Sequence, residues 1–128
     1  ILLVNHFLKG EKYSTLHNHL VSAAKKCSIN LDIKTNLELA TQKANADFVL
    51  FWDKDVNLAK RLEKSNIPVF NSASAIEKCD DKGLTYIELD KIVPQPKTLI
   101  SPKCYFKSDM SEFVKKAIDI LGLPLVFK

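Results

Sequence analysis

Residues 48–52 read Phe-Val-Leu-Phe-Trp, an apolar run with no polar interruption, introduced by Asp47 and followed by Asp53-Lys54-Asp55. A strand with one face in water alternates apolar and polar residues. Continuous apolarity requires cover on both faces, the condition of a parallel sheet held between helical layers. This segment is therefore expected to be a central strand, and the rest of the chain has to supply its neighbours and its cover.

The flanking sequence alternates in the way such a sheet needs. Ile1 to Val4 is a short apolar strand pattern, and between Lys12 and Cys27 the residues Tyr13, Leu16, Leu20, Ala23, Ala24 and Cys27 recur at helical spacing. Ile29 to Ile33 alternates with period two, and Asn36 to Ala44 has a short helical pattern. After the central strand, Val56, Ala59 and Leu62 mark a third helix with Asp53 or Asp55 as its N-cap, and Pro68-Val69-Phe70 is a fourth strand. The expected fold class is α/β: an open, mostly parallel sheet with helices on both faces, joined by right-handed crossovers.

Beyond Phe70 the pattern changes. Ser72 is placed to cap a helix through Ala75, Ile76 and Cys79, and Asp80-Asp81 to cap another carrying Leu84 and Ile87. Pro94 and Pro96 break helix and ladder alike, so the best boundary lies at Val93 to Lys97. Thr98 to Ile100 then reads as a strand. Asp109 to Glu112 resembles a capping box opening a helix that Gly122 closes, and Leu125 to Lys128 reads as a second strand.

The 19 basic and 15 acidic residues leave a net charge of +4 with no basic run longer than two, which argues for a solvated lysine-rich surface and against a nucleic-acid partner. No apolar stretch approaches the roughly 18 residues that span a bilayer, and Ile1 to Val4 lacks the features of an export signal, so a cytoplasmic location without a membrane partner is expected. Cys27, Cys79 and Cys104 are far apart and odd in number, which argues against a disulfide framework or a zinc site. The first residue is not methionine and the last is a lysine on a short apolar strand, both expected of a piece of a longer enzyme.

The glycines, Gly10, Gly83 and Gly122, are too scattered for a phosphate-cradling loop or a dinucleotide fingerprint. There is no GxSxG elbow and no HExxH helix. His17 and His19 lie two apart on one helix and point away from each other, so both are expected at the surface without a shared metal. Cys79, at helical spacing from Ile76, is expected in the core. Asn5 and His6 follow the first strand and Asp53 follows the third, at the carboxyl ends where open parallel sheets bind ligands. Polar loops and helix caps account for the same residues.

The most specific string runs from Phe70-Asn71-Ser72-Ala73-Ser74-Ala75-Ile76-Glu77-Lys78-Cys79 through Asp80-Asp81-Lys82-Gly83-Leu84-Thr85. With Pro96-Lys97-Thr98 and Leu123-Pro124-Leu125-Val126-Phe127-Lys128, it resembles the entry into ATP-grasp ligases of the RimK-like kind. The resemblance covers roughly residues 69 to 128. The alternating region before it is similar to that family's N-terminal domain in pattern only.

The resemblance implies a pre-ATP-grasp α/β domain over 1–92 and, over 93–128, the beginning of an ATP-grasp nucleotide-binding domain as an incomplete β-α-β piece. It also implies ATP and magnesium as cofactors and the joining of a carboxylate to an amine, as in glutamate ligation, through an acyl phosphate. Substrates would be a small-molecule or peptide carboxylate and an amine. Lys82 and Lys128 match the family lysines that reach the nucleotide phosphates; no catalytic residue or metal ligand is assigned in this chain. An ammonium is a compact charge with three donors, and hydrogen bonds to charged groups contribute roughly 1.5–3 kcal/mol each. The glycine-containing loop, adenine-contacting segment and magnesium ligands of the family are absent from these 128 residues. The 128-residue chain alone is therefore expected neither to turn over nor to bind ATP tightly. The alternative is a non-catalytic α/β module binding a small ligand or a protein through Asn5, His6 and Asp53. Exposed apolar surface around residues 98 to 127 would favour the ligase portion. Homo-oligomer formation is left open.

Overall fold

The computed structural model describes residues 1–8, 10–103 and 105–128. The chain divides into two compact units, Ile1–Asp80 and Asp81–Lys128. The first is an α/β unit in which β1 (Leu2–Val4), β2 (Ile33–Thr35), β3 (Val49–Trp52) and β4 (Val69–Phe70) form one all-parallel sheet in the order β2-β1-β3-β4. The apolar run at 48–52 supplies a central strand, as its continuous pattern requires.

Helices lie on both faces. One face carries Leu3, Val49, Phe51 and Val69 against Leu39 of α2 (Asn36–Thr41), Leu58, Ala59 and Leu62 of α3 (Val56–Lys64), and Ala73 and Ile76 of α4 (Ala73–Asp80). The other carries Leu2, Val4 and Leu31, packed by Leu20, Val21 and Ala24 of α1 (Glu11–Lys26). Each fully buried Leu, Val, Ile or Phe among these contributes about 1.5–3 kcal/mol of transfer free energy.

Caps set the helix starts. Asp55 Oδ1 accepts from Leu58 N at 2.9 Å to open α3, and Ser72 Oγ accepts from Ala75 N at 3.2 Å ahead of α4. Thr35 and Glu38 form a reciprocal capping box at α2, with Thr35 itself buried in the sheet. Arg61 of α3 donates to the carbonyls of Leu39 and Ala40, satisfying acceptors at the carboxyl end of α2.

The second unit contains α5 (Lys82–Glu88) and α6 (Lys107–Leu121). Asp81 Oδ1 accepts from Leu84 N at 2.9 Å and caps α5, and Gly122, at φ 79°, ends α6 in the left-handed backbone that glycine adopts without strain.

Six expectations from the sequence are corrected. Thr98–Ile100 and Leu125–Lys128 do not form strands: among the described residues neither segment pairs with a hydrogen-bonding neighbour, and extended chain without one is not a sheet, so only the helix of the expected β-α-β piece is present. The second strand occupies 33–35 rather than 29–33, because pairing with β1 runs from Ile33 opposite Leu2 to Thr35 opposite Val4. Helix α6 begins at Lys107 with Phe106 as its N-cap, so Asp109 lies in the first turn and does not cap. His17 is 3% exposed, since it shares with Tyr13, Leu20, Val21 and Ala24 the face of α1 turned inward. Cys79 is exposed, because the inward positions of α4 are Ala73 and Ile76. Cys104 lies outside the described residues.

Candidate functional site at the carboxyl ends of the first and third strands

From β1 the chain crosses to β2 on one side, while β3 and β4 lie on the other, so the strand order places the reversal of winding between β1 and β3. The loops leaving two such strands diverge to opposite faces of the sheet and open a crevice at their carboxyl ends. Val4 and Trp52 are register partners at the ends of these strands, which makes Asn5 and Asp53 the first residues beyond the ladder on adjacent strands.

The structure brings these two residues together. Asn5 Nδ2 donates to Asp53 Oδ1 at 3.0 Å, and Asn5 Oδ1 accepts from Phe7 N at 3.0 Å. The two bonds agree on a single orientation of the amide, with its nitrogen toward the carboxylate and its oxygen toward the loop. Asp53 Oδ1 accepts a second bond from Lys54 N at 2.7 Å. Asp53 Oδ2 is buried and accepts none, the one such side-chain atom among the described residues. The ammonium of Lys54 pairs with Asp80.

His6 follows Asn5 in a short 3-10 turn, His6–Leu8, and its backbone N donates to Asn36 Oδ1 at 2.9 Å. The imidazole is exposed and makes an edge contact with Phe7. His6, Phe7, Asn36, Leu37, Ala40 and Asp55 line an open depression of about 260 Å³. Of the three residues singled out from their position after the strands, Asn5 and Asp53 are directly bonded, and His6 lines the neighbouring depression. Sequence reasoning missed Asn36, whose carboxamide ties the β2–α2 junction to the turn after β1; its signal was an asparagine next to the Thr35-x-x-Glu38 cap.

Lys82 is the first residue of α5, next to the capping Asp81, and Lys128 lies after Pro124 in a segment that belongs to no helix or strand. Both residues are exposed. Among the described residues no group of three or more His, Cys, Asp or Glu side chains is arranged to hold a metal ion, and no helix is long and apolar enough to cross a membrane.

No family model matches this chain, and no solved structure matches it. The uncharacterized protein MG012 of Mycoplasma genitalium is 33% identical over 121 residues, covering 85% of this chain and 42% of that protein. Its homolog in Mycoplasma pneumoniae is 28% identical over 121 residues with the same coverage. The chain thus spans 42% of the length of the curated relatives it matches.

Proposed function

We propose that this chain is the N-terminal part of an ATP-dependent carboxylate-amine ligase acting through an acyl phosphate, with ATP and magnesium as cofactors, a cytoplasmic location, and Lys82 and Lys128 as the residues that meet the nucleotide phosphates. The observation that carries the reading is the resemblance of the string from Phe70 to Thr85, with Pro96-x-Thr98 and Pro124-x-Val126-x-Lys128, to the entry of RimK-like ATP-grasp ligases. An open parallel sheet precedes that string, which agrees with a pre-ATP-grasp domain.

Two further facts support it over a stand-alone binding module. The second unit leaves Phe106, Ile120, Leu123, Val126 and Phe127 exposed, Val126 by 85%, where a finished module covers its apolar side chains. The curated relatives are more than twice as long as the region they share with this chain.

In this reading the two ammonium groups act as fixed positive charges. They position the phosphates and offset negative charge that moves during phosphoryl transfer, where positioning and electrostatics dominate catalysis. Magnesium takes few protein ligands, usually one or two carboxylates together with phosphate oxygens and water. This reading assigns no magnesium ligand among the described residues.

Thermal unfolding of the full-length protein with ATP and magnesium tests the proposal. A ligand that binds only the native state adds about 2.7 kcal/mol of apparent stability at a hundred times its dissociation constant. The full-length protein should show that rise, and Lys128→Ala and Lys82→Ala should each lose most of it. An equal rise in both variants removes these lysines from the site, and no rise in the unsubstituted protein overturns the ligase reading.

A further inference from the structure

We propose that Gly83 is a positioning residue for Lys82: the open face left by its missing side chain is the seat of Ile100, and this contact holds the first turn of α5 where the Lys82 ammonium meets a phosphate. The inference rests on the reading of Lys82 as a phosphate ligand and adds to it how the chain sets that lysine in place.

The first ground is the glycine itself. Glycine is among the poorest helix formers, yet Gly83 stands in the first turn of α5. Its φ lies outside the left-handed region, which Gly122 alone adopts among the glycines, so the backbone does not require a glycine here. Space does. A methyl group on Gly83 would lie 3.1 Å from Asp81 Oδ1, and 3.4 Å and 3.8 Å from Cγ2 and Cδ1 of Ile100. Carbon atoms touch at about 3.5–4.0 Å, so Ile100 packs directly on the glycine and leaves no room toward it for a branched side chain.

The second ground is what the other neighbour does. Asp81 Oδ1 accepts from Leu84 N at 2.9 Å, and Asp81 O accepts from Thr85 Oγ1 at 2.9 Å, so Asp81 fixes the start of α5. Lys82 stands between Asp81 and Gly83 in sequence. A side chain at 83 would crowd both the cap oxygen and Ile100, and so move the turn that carries the lysine.

The third ground is a further tie between the same two segments. Gln95 Nε2 donates to Tyr86 O at 3.0 Å in a partly buried bond. The chain from Gln95 to Ile100 is thus fastened to α5 at two points, Tyr86 and Gly83. Thr98 to Ile100 pairs in no sheet among the described residues, and docking on α5 is the use the structure gives it. The strings Asp81 to Thr85 and Pro96 to Thr98 are thereby held side by side.

The experiment treats the full-length protein with an ATP derivative whose acyl phosphate passes its acyl group to adjacent lysine amines. Mass spectrometry then reads Lys82 against Lys128 in the same molecules, so that a general loss of folding or of nucleotide binding cancels in the ratio. A reacting group displaced by about 1 Å can lose about a hundredfold in rate, so in Gly83→Val and in Ile100→Ala the ratio should fall about tenfold or more. The double variant carries the same number of side-chain carbons as the glycine and isoleucine it replaces, and should restore most of the ratio. An unchanged ratio in the single variants, or no restoration in the double variant, overturns the inference while the ligase reading stands. No ATP-suppressed labelling of either lysine in the unsubstituted protein overturns the ligase reading and the inference with it. Should Gly83→Val fail to fold, Ile100→Ala and the double variant decide the matter.

Discussion

Leu37 and Leu39 sit two residues apart on α2, and the fold assigns them opposite fates: Leu39 is 2% exposed within the core, whereas Leu37 is 57% exposed. Replacing each by alanine deletes the same atoms from the same helix, so the change in helix propensity is common to both and cancels. For Leu39 the loss combines transfer and cavity terms, about 2–5 kcal/mol. For Leu37 less than half of a full burial value of about 1.5–3 kcal/mol is at stake and no closed cavity forms, which leaves about 1 kcal/mol or less. A unit of this size carries roughly 4–12 kcal/mol in total at 0.05–0.15 kcal/mol per residue, so Leu39→Ala removes a substantial share of its stability. Urea unfolding read by the fluorescence of Trp52, the sole tryptophan and a residue of β3, reports on this unit. With a slope of about 1 kcal/mol per molar for a small domain, the midpoint of Leu39→Ala should fall below that of Leu37→Ala by about 2 M. Coincident midpoints would refute the placement of α2 against the sheet.

Two other predictions concern helix ends and charge pairs. Asp55→Ala removes the acceptor for Leu58 N and should lower the stability of the first unit by about 1 kcal/mol in the same urea assay, whereas Asp55→Asn keeps an acceptor and should change little. On α6, a hydrogen bond from Lys116 and its positive charge hold the carboxyl of Glu112 below its ordinary range. A carboxyl lowered in the folded state stabilises that state above its unfolded pKa, and the contribution fades as pH falls through the folded value. The helical circular dichroism signal should therefore weaken on acidification, and Lys116→Ala should remove this part of the pH dependence; an unchanged acid profile in the variant would count against the pair.

Residues buried on both sides of the sheet announced themselves by their pattern. The run at Phe48 to Trp52 requires cover on two faces, and β3 has neighbours on both edges, β1 and β4, with helices on both faces of the sheet. Caps were legible where a short polar side chain precedes an apolar run, as at Ser72 and Asp81. Local signals failed where a tertiary partner decides. Thr98 to Ile100 has strand composition but no ladder partner among the described residues, and pairing is not encoded in one strand. His17 read as surface by type, yet its position on α1 puts it among Leu20, Val21 and Ala24; it lies four residues after Tyr13 and three before Leu20, on the helical spacing that identified those two. At the candidate site, position just past the first and third strands drew attention to Asn5, His6 and Asp53, but a contact between residues 48 positions apart became visible only in three dimensions.

The central claim, that Lys82 and Lys128 lie at the phosphates of a bound nucleotide, is tested most directly by an acyl-phosphate derivative of ATP, which transfers its acyl group to lysine amines beside the bound phosphates. Treatment of the full-length protein, digestion and mass spectrometry should find Lys82 and Lys128 acylated, with both modifications suppressed by excess ATP and magnesium. Labelling confined to other lysines, or labelling at these two that ATP does not suppress, would contradict it.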